Sequence, residues 1–152
     1  MNIQKMNIQK KNTQKNNTQE ELKIDNLMFN NKQPTVQMMG RFQPWHGGHR
    51  ELFKKSVIKT GQVALMVRHM PVNNDNPLHF EEVKEIIIED LAKHNFTYEK
   101  EYVIIQVPNI IDITYGRDVG YSITLERLPD EIEQISATKI RELWGKDREK
   151  KS

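Results

Sequence analysis

The sequence predicts a single α/β domain built on a parallel sheet flanked by helices. Three observations predict it. Short apolar runs alternate with longer stretches of helical period between Val36 and Val107. A strand–helix–strand–helix–strand order of this kind makes a parallel sheet with right-handed crossovers. The loop Gly40-Arg41-Phe42-Gln43-Pro44-Trp45-His46-Gly47-Gly48-His49 lies where the first strand hands over to the first helix. The length, 152 residues, suits one domain.

Each element has its own warrant. Residues 35–39 read as the first strand, expected to be buried and central. Residues 47–59 read as a helix with Leu52, Phe53, Val57 and Ile58 on one face and Lys54, Lys55 and Lys59 outside. Thr60 and Gly61 end it. Residues 63–67 form a second buried strand, and residues 70–78, with Pro71, Pro77 and several Asn, form a loop. From 80 to 93, Val83, Ile86, Ile87 and Leu91 make an apolar stripe, while Glu81, Glu82, Glu85, Glu89 and Asp90 make the wet face. Residues 102–107 are rich in β-branched side chains, as a third strand requires. Residues 110–115 and 122–128 read as short strands around a turn-like Gly116 to Gly120. A last helix is expected to begin at Ser136 or Thr138 and to run to about Trp144, closed by Gly145. The domain is therefore placed at 34–146, with a charged end at 147–152.

The first 33 residues differ in kind. Residues 1–20 read MNIQK, MNIQK, KNTQK, NNTQE, with Asn second and Gln fourth in every pentad. A period of five matches neither 3.6 nor 2 and supports no buried face. Asn, Gln, Lys and Thr bury too little apolar surface to offset chain entropy, so a disordered N-terminal tail is expected over 1–33. Six lysines against three acidic residues give it +3, leaving −1 for the rest of a chain of net charge +2. A near-neutral domain lacks the basic stripe of a nucleic-acid binder. The chain has no cysteine, which removes disulfides and thiolate metal sites, and no apolar run long enough for a membrane span. No nucleic acid, no membrane and a cytoplasmic location are expected; homo-oligomerisation is left open.

The 40–49 loop carries most of the chemistry. A strand-to-helix junction exposes free backbone N–H groups at the positive end of a helix dipole, which favours phosphate. His46 and His49 add donors for charge on phosphoryl oxygens, and Gly40 and Gly48 allow close approach of a ligand. As a metal pair the two histidines lack a neighbouring Cys or carboxylate, and the glycines fit phosphate better. Arg41, Phe42 and Gln43 form the approach to the loop; Pro44 keeps Gln43 away from helix. Trp45 either stacks on a ligand or covers the sheet edge. In residues 135–141, ISATKIR, Ser136 and Thr138 suit a helix N-cap, and capping coexists with anion binding at one helix start. Thr138 and Arg141, three apart, share a face. Arg68 follows the second strand, where it either contacts an acceptor phosphate or is a surface arginine. Residues 115–118, YGRD, offer a glycine turn with a cation and a carboxylate but no assigned role. His69, His79 and His94 read as ordinary histidines. Ligands of parallel sheets bind at the carboxyl ends of the strands, so both motifs are expected on one rim.

The string GRFQPWHGGH resembles the signature of the His-x-Gly-His, cytidylyltransferase-like nucleotidyltransferase superfamily, and ISATKIR resembles its Ile-Ser-x-Thr-x-Ile-Arg motif. Together they cover about residues 35–145. The nearest likeness is to small adenylyltransferases of the nicotinamide mononucleotide type, whose Asn-Pro-apolar turn matches residues 76–78, NPL. Those enzymes often carry Arg where this chain has Val83, which puts transfer of their acceptor in doubt. The resemblance implies a Rossmann-like fold and transfer of a nucleoside monophosphate, adenylyl before cytidylyl, from a triphosphate to a small phosphorylated acceptor with release of pyrophosphate. It implies His46, His49 and Arg141 as catalytic residues on the phosphates. Gly40, Arg41, Phe42, Gln43, Gly48, Ser136 and Thr138 would form the nucleotide site, with Mg²⁺ held mainly by phosphate oxygens and water. The alternative is a nucleotide-binding sensor without turnover. A tRNA-charging synthetase is disfavoured, because ISATKIR does not match the lysine-rich second motif of those enzymes.

Overall fold

The computed structural model describes residues 28–118 and 120–151. The disorder expected over residues 1–27 lies outside them. The order is β1 (Val36–Gly40), α1 (Gly47–Thr60), β2 (Val63–Arg68), α2 (Phe80–Lys93), β3 (Tyr102–Val107), α3 (Asp130–Glu133) and α4 (Ala137–Lys151). The three strands form one parallel sheet in the order β1-β2-β3, with Met38 level with Leu65 and Leu65 with Ile104. The fold is α/β, a parallel sheet flanked by helices.

Strand alternation sorts the sheet into two faces. Met38, Val63, Leu65, Val67, Tyr102 and Ile104 join Phe53 of α1 and Val83, Ile87 and Leu91 of α2 in one core. Phe53 meets Phe96 and Tyr102 edge-on at 5.0 and 5.6 Å. The opposite face carries Met39, Ala64, Met66, Val103 and Ile105, none of them fully buried. β1 is an edge strand of this sheet, not a central one, because residues 110–115 and 122–128 form no strand to pair with it. Those segments alternate apolar residues, as strands do, but Ile111, Ile113, Tyr121, Ile123 and Leu125 are exposed.

Other departures are local. Ile58 is exposed, since the face of α1 that meets the sheet is narrow and centred on Phe53. Gly61 takes a left-handed conformation and ends α1 as expected. Gly145 does not close the last helix, which continues to Lys151. Residues 28–33 belong to the folded body and not to a tail. Asn30 N–H donates to Gln62 Oε1 at 3.1 Å, and Gln62 Nε2 donates to the Asn30 carbonyl at 2.7 Å. Phe29 N–H reaches the Glu99 carbonyl at 2.8 Å. Among the described residues no helix is long and apolar enough to cross a membrane.

Candidate functional site

The loop after β1 is shaped by its aromatic residues. Phe42 adopts φ +51°, in the left-handed region, and its ring turns back over Gly40. A Cβ on Gly40 would stand 2.9 Å from Phe42 Cε1, so glycine is required by packing as well as by any ligand. The Phe42 ring is buried and lies edge-on to Trp45 at 5.3 Å and to His49 at 5.0 Å. Phe42 therefore has only its backbone left to offer a nucleotide. The Gln43 side chain is also buried and committed: its Nε2 donates to the Leu78 carbonyl at 3.0 Å and its Oε1 accepts from Leu78 N–H at 2.9 Å. It ties the 40–49 loop to the 70–78 loop; the following peptide bond, to Pro44, is cis. Arg41 is exposed, with Nη1 3.5 Å from Asn76 Oδ1.

The two histidines sit at the start of α1, stacked with ring centroids 3.9 Å apart. His46 is the N-cap, and its Nδ1 accepts from Gly48 N–H at 3.0 Å. His49 Nδ1 accepts from His46 N–H at 3.1 Å. The pair is a capping box made of imidazoles, where the usual one uses a hydroxyl and a carboxylate. A ring that accepts at Nδ1 and is neutral carries its proton on Nε2. Both rings are held neutral. Burial lowers the pKa of His46; burial, with the neighbouring His46, lowers that of His49 to about 3. Each imidazole thus keeps one N–H donor, at Nε2, free of the backbone. Gly48 is indispensable to this arrangement, because a Cβ there would stand 2.8 Å from His46 Cε1.

Trp45 is packed and does not await a ligand. It is 4% exposed, its ring lies against His49 at 5.4 Å and 27°, and its Nε1–H donates to Asp90 Oδ2 at 2.9 Å. Asp90 Oδ1 accepts from Arg50 Nη1 at 2.9 Å. Asp90 belongs to the wet stripe of α2 by helical period alone. Asp90 is half-buried, and its contact with Trp45 is what periodicity misses; the one signal available is that a buried indole N–H needs an acceptor.

The second motif meets the first. Arg141 Nη1 donates to the Gln43 carbonyl at 2.6 Å, and Nη2 to Thr138 Oγ1 at 3.3 Å. Ser136 Oγ accepts from Lys139 N–H at 3.1 Å and caps α4. The short helix α3 brings the connection close: the Ile132 carbonyl and Ile135 Cδ1 lie 3.6 and 3.5 Å from where side chains on Gly48 and Gly47 would start. His46, His49, Gly48 and Arg141 are thus gathered on one rim, while Ser136 and Thr138 serve α4 and Arg141.

Arg68 stands farther along that rim. Its Nη2 donates to Asn109 Oδ1 at 2.7 Å, while its Nε is buried without a partner among the described residues. It lines a cavity of about 50 Å³ with Gln43, His69, His79, Val83 and Gln106. Val83 is buried in the core beside it. Tyr115, Gly116, Arg117 and Asp118 are exposed. The donors around the histidines are ring and guanidinium N–H groups; they fit an anion, and they do not fit a Mg²⁺ ion held by protein oxygens. Among models of known protein families none matches this chain, and no curated protein matches it.

Proposed function

We propose that the protein is a nucleotidyltransferase, most simply an adenylyltransferase, acting in the cytoplasm on a nucleoside triphosphate and a small phosphorylated acceptor. The observation that carries this reading is the stacked, neutral His46–His49 pair, with Nδ1 of each ring on a backbone N–H and Nε2–H left as donor, beside the Arg141 guanidinium. Neutral donors preset by the backbone suit stabilisation of charge that develops during reaction, because they need no reorganisation. The acceptor's phosphate oxygen attacks the α-phosphorus in line. The bond from that phosphorus to the bridging oxygen of the β-phosphate breaks, and pyrophosphate leaves with the electron pair.

In this scheme His46 and His49 donate to the α/β-phosphate oxygens, and Arg141 holds the leaving pyrophosphate with the N–H groups not used by Gln43 and Thr138. The exposed Arg41 guanidinium would meet the outer phosphates. The unpartnered Nε of Arg68 suits the acceptor phosphate. Mg²⁺ would arrive with the triphosphate, held mainly by phosphate oxygens and water with few protein ligands, and would supply neutralising charge.

The test is a pyrophosphate-release screen of nucleoside triphosphates against phosphorylated acceptors, with His46→Ala as control. Release by the native protein, reduced a hundredfold or more in a folded His46→Ala, supports transfer. Tight nucleotide binding with no turnover against any acceptor makes the protein a nucleotide sensor. An unfolded variant with full activity per folded molecule makes His46 structural and ends this assignment.

A further inference from the structure

We infer that Asp90 is a positioning residue for the phosphate-facing histidines, acting through Trp45. The reading rests on the nucleotide site proposed above, and one arm of its test does not.

The contacts form a continuous stack. Asp90, on α2, accepts from the indole N–H of Trp45 with one oxygen and from Arg50 of α1 with the other, each at 2.9 Å. Its backbone carbonyl lies 2.9 Å from His94 Nδ1. One carboxylate therefore joins the loop, α1 and α2. The indole it fixes lies nearly parallel to the His49 ring at 27°, His49 lies on His46 at 30°, and Phe42 closes the edge of the stack. Among the described residues His49 has one polar anchor, the N–H of His46 at its Nδ1. A single hydrogen bond fixes where that nitrogen points and leaves the plane of the ring to its neighbours. The Trp45 face sets that plane, and Asp90 sets the Trp45 face.

Ordinary stability does not require this arrangement. An indole at this position packs in the core by its area, and a phenyl ring would pack similarly without demanding an acceptor. The carboxylate adds orientation: two donors from two elements converge on its two oxygens, which fixes the rotation of the indole about its side-chain bonds. Nε2 of His49 has to reach a phosphoryl oxygen within a few tenths of an ångström, so this rotation reaches the ligand.

The experiment compares the native chain with Asp90→Leu, Asp90→Asn and Trp45→Phe. Leucine removes both acceptor oxygens. Asparagine keeps one carbonyl and can satisfy Trp45 or Arg50 but not both. Phenylalanine keeps a ring over His49 and deletes the donor. Two quantities are read: the ring-proton chemical shifts of His49 by NMR, which report its plane against the Trp45 and His46 rings, and the affinity for adenosine triphosphate with Mg²⁺ by calorimetry.

In Asp90→Leu, still folded by circular dichroism, the His49 ring protons lose the ring-current shift given by the stacked Trp45 face and the affinity falls about tenfold or more. Asp90→Asn gives a smaller change in the same direction. Adding Asp90→Asn to Trp45→Phe produces no further change, since the path through the indole N–H is already gone. Unchanged His49 shifts in a folded Asp90 variant overturn the inference, even where the melting temperature drops, because that result is a purely structural role. Additive effects of the two substitutions overturn it as well. If Asp90→Leu does not fold, Asp90→Asn and Trp45→Phe decide by the same two readings. A native chain that fails to bind the nucleotide overturns the proposed function alone; the histidine shifts still decide the role of Asp90.

Discussion

At His49 a lowered pKa turns into a dependence of stability on pH whose sign is fixed. The unfolded residue titrates at its ordinary value of 6.5, the folded one at about 3. Above pH 6.5 both states are neutral and His49 adds no dependence. As the pH falls below 6.5 the unfolded chain binds a proton that the folded chain refuses, so stability drops, by up to about 1.4 kcal/mol per pH unit for one proton. His46 is shifted the same way by burial and adds to the slope. Urea unfolding at pH 7 and pH 5 should show the native chain losing more stability than His49→Gln over that interval; equal losses would mean that His49 is not held neutral. The reason for the shift was only half legible in the sequence. Two histidines beside two glycines read as phosphate donors. That they cap a helix for each other, Nδ1 to backbone, depends on φ/ψ values and on Gly48 lying under His46, which no spacing rule gives. Asp90 was misplaced by the same limit: period assigns a face, while a partner from a distant loop decides whether that face is wet.

Among the elements, those with strong period were read correctly and those whose fate depends on a neighbour were not. β2, β3, α1 and α2 appear within a residue or two of their expected bounds. Residues 110–115 and 122–128 have the alternation of strands, yet a strand exists only when paired, and they pair with nothing among the described residues. Gly145 has no such effect as a helix stop, because a glycine inside a helix costs about 1 kcal/mol, which a long helix tolerates. Composition alone puts the segment at 28–33 in the tail, but its backbone serves a buried side chain. Gln62 is 6% exposed and spends its amide on Asn30 O, Asn30 N–H and Thr35 Oγ1. A chain beginning at Pro34 should therefore be less stable than one beginning at Met28, by roughly 1–3 kcal/mol for a buried polar group losing its partners. Thermal unfolding of the two truncations checks it; coincident midpoints would show that the 28–33 contacts add nothing. Activity per folded molecule should be the same in both, since this segment lies at the N-terminal ends of the strands, opposite the histidine rim.

For the whole molecule, the parallel topology brings the two motifs together. β1 and β2 point the same way, so the loop after β1, Arg68 at the end of β2 and the residues after β3 all emerge at one end of the sheet. Arg141, ninety-eight residues from Gln43, then reaches that residue's carbonyl. This convergence was legible beforehand because it follows from strand direction alone. In the proposed reaction the base is not legible, since His46, His49 and Arg141 would address phosphate and be indifferent to the ring beyond the ribose. On that proposal the choice of base would come from the segments after β3 and before α4. Buried hydrogen bonds to a base can discriminate by several kcal/mol, whereas a shape difference alone gives about 1–3 kcal/mol. The segment after β3 is largely exposed in the described structure, from Ile111 to Asp118. A base held there would be selected by partly solvated contacts, at the lower end of that range. Adenosine triphosphate is expected to bind more tightly than cytidine triphosphate, on the likeness of GRFQP to the adenylyl branch, by a factor of about ten to a hundred and not absolutely. Calorimetry with each triphosphate and Mg²⁺ measures this without an acceptor. Tighter binding of cytidine triphosphate would move the proposed reaction to cytidylyl transfer. Equal binding would mean that the exposed segment after β3 does not read the base at all.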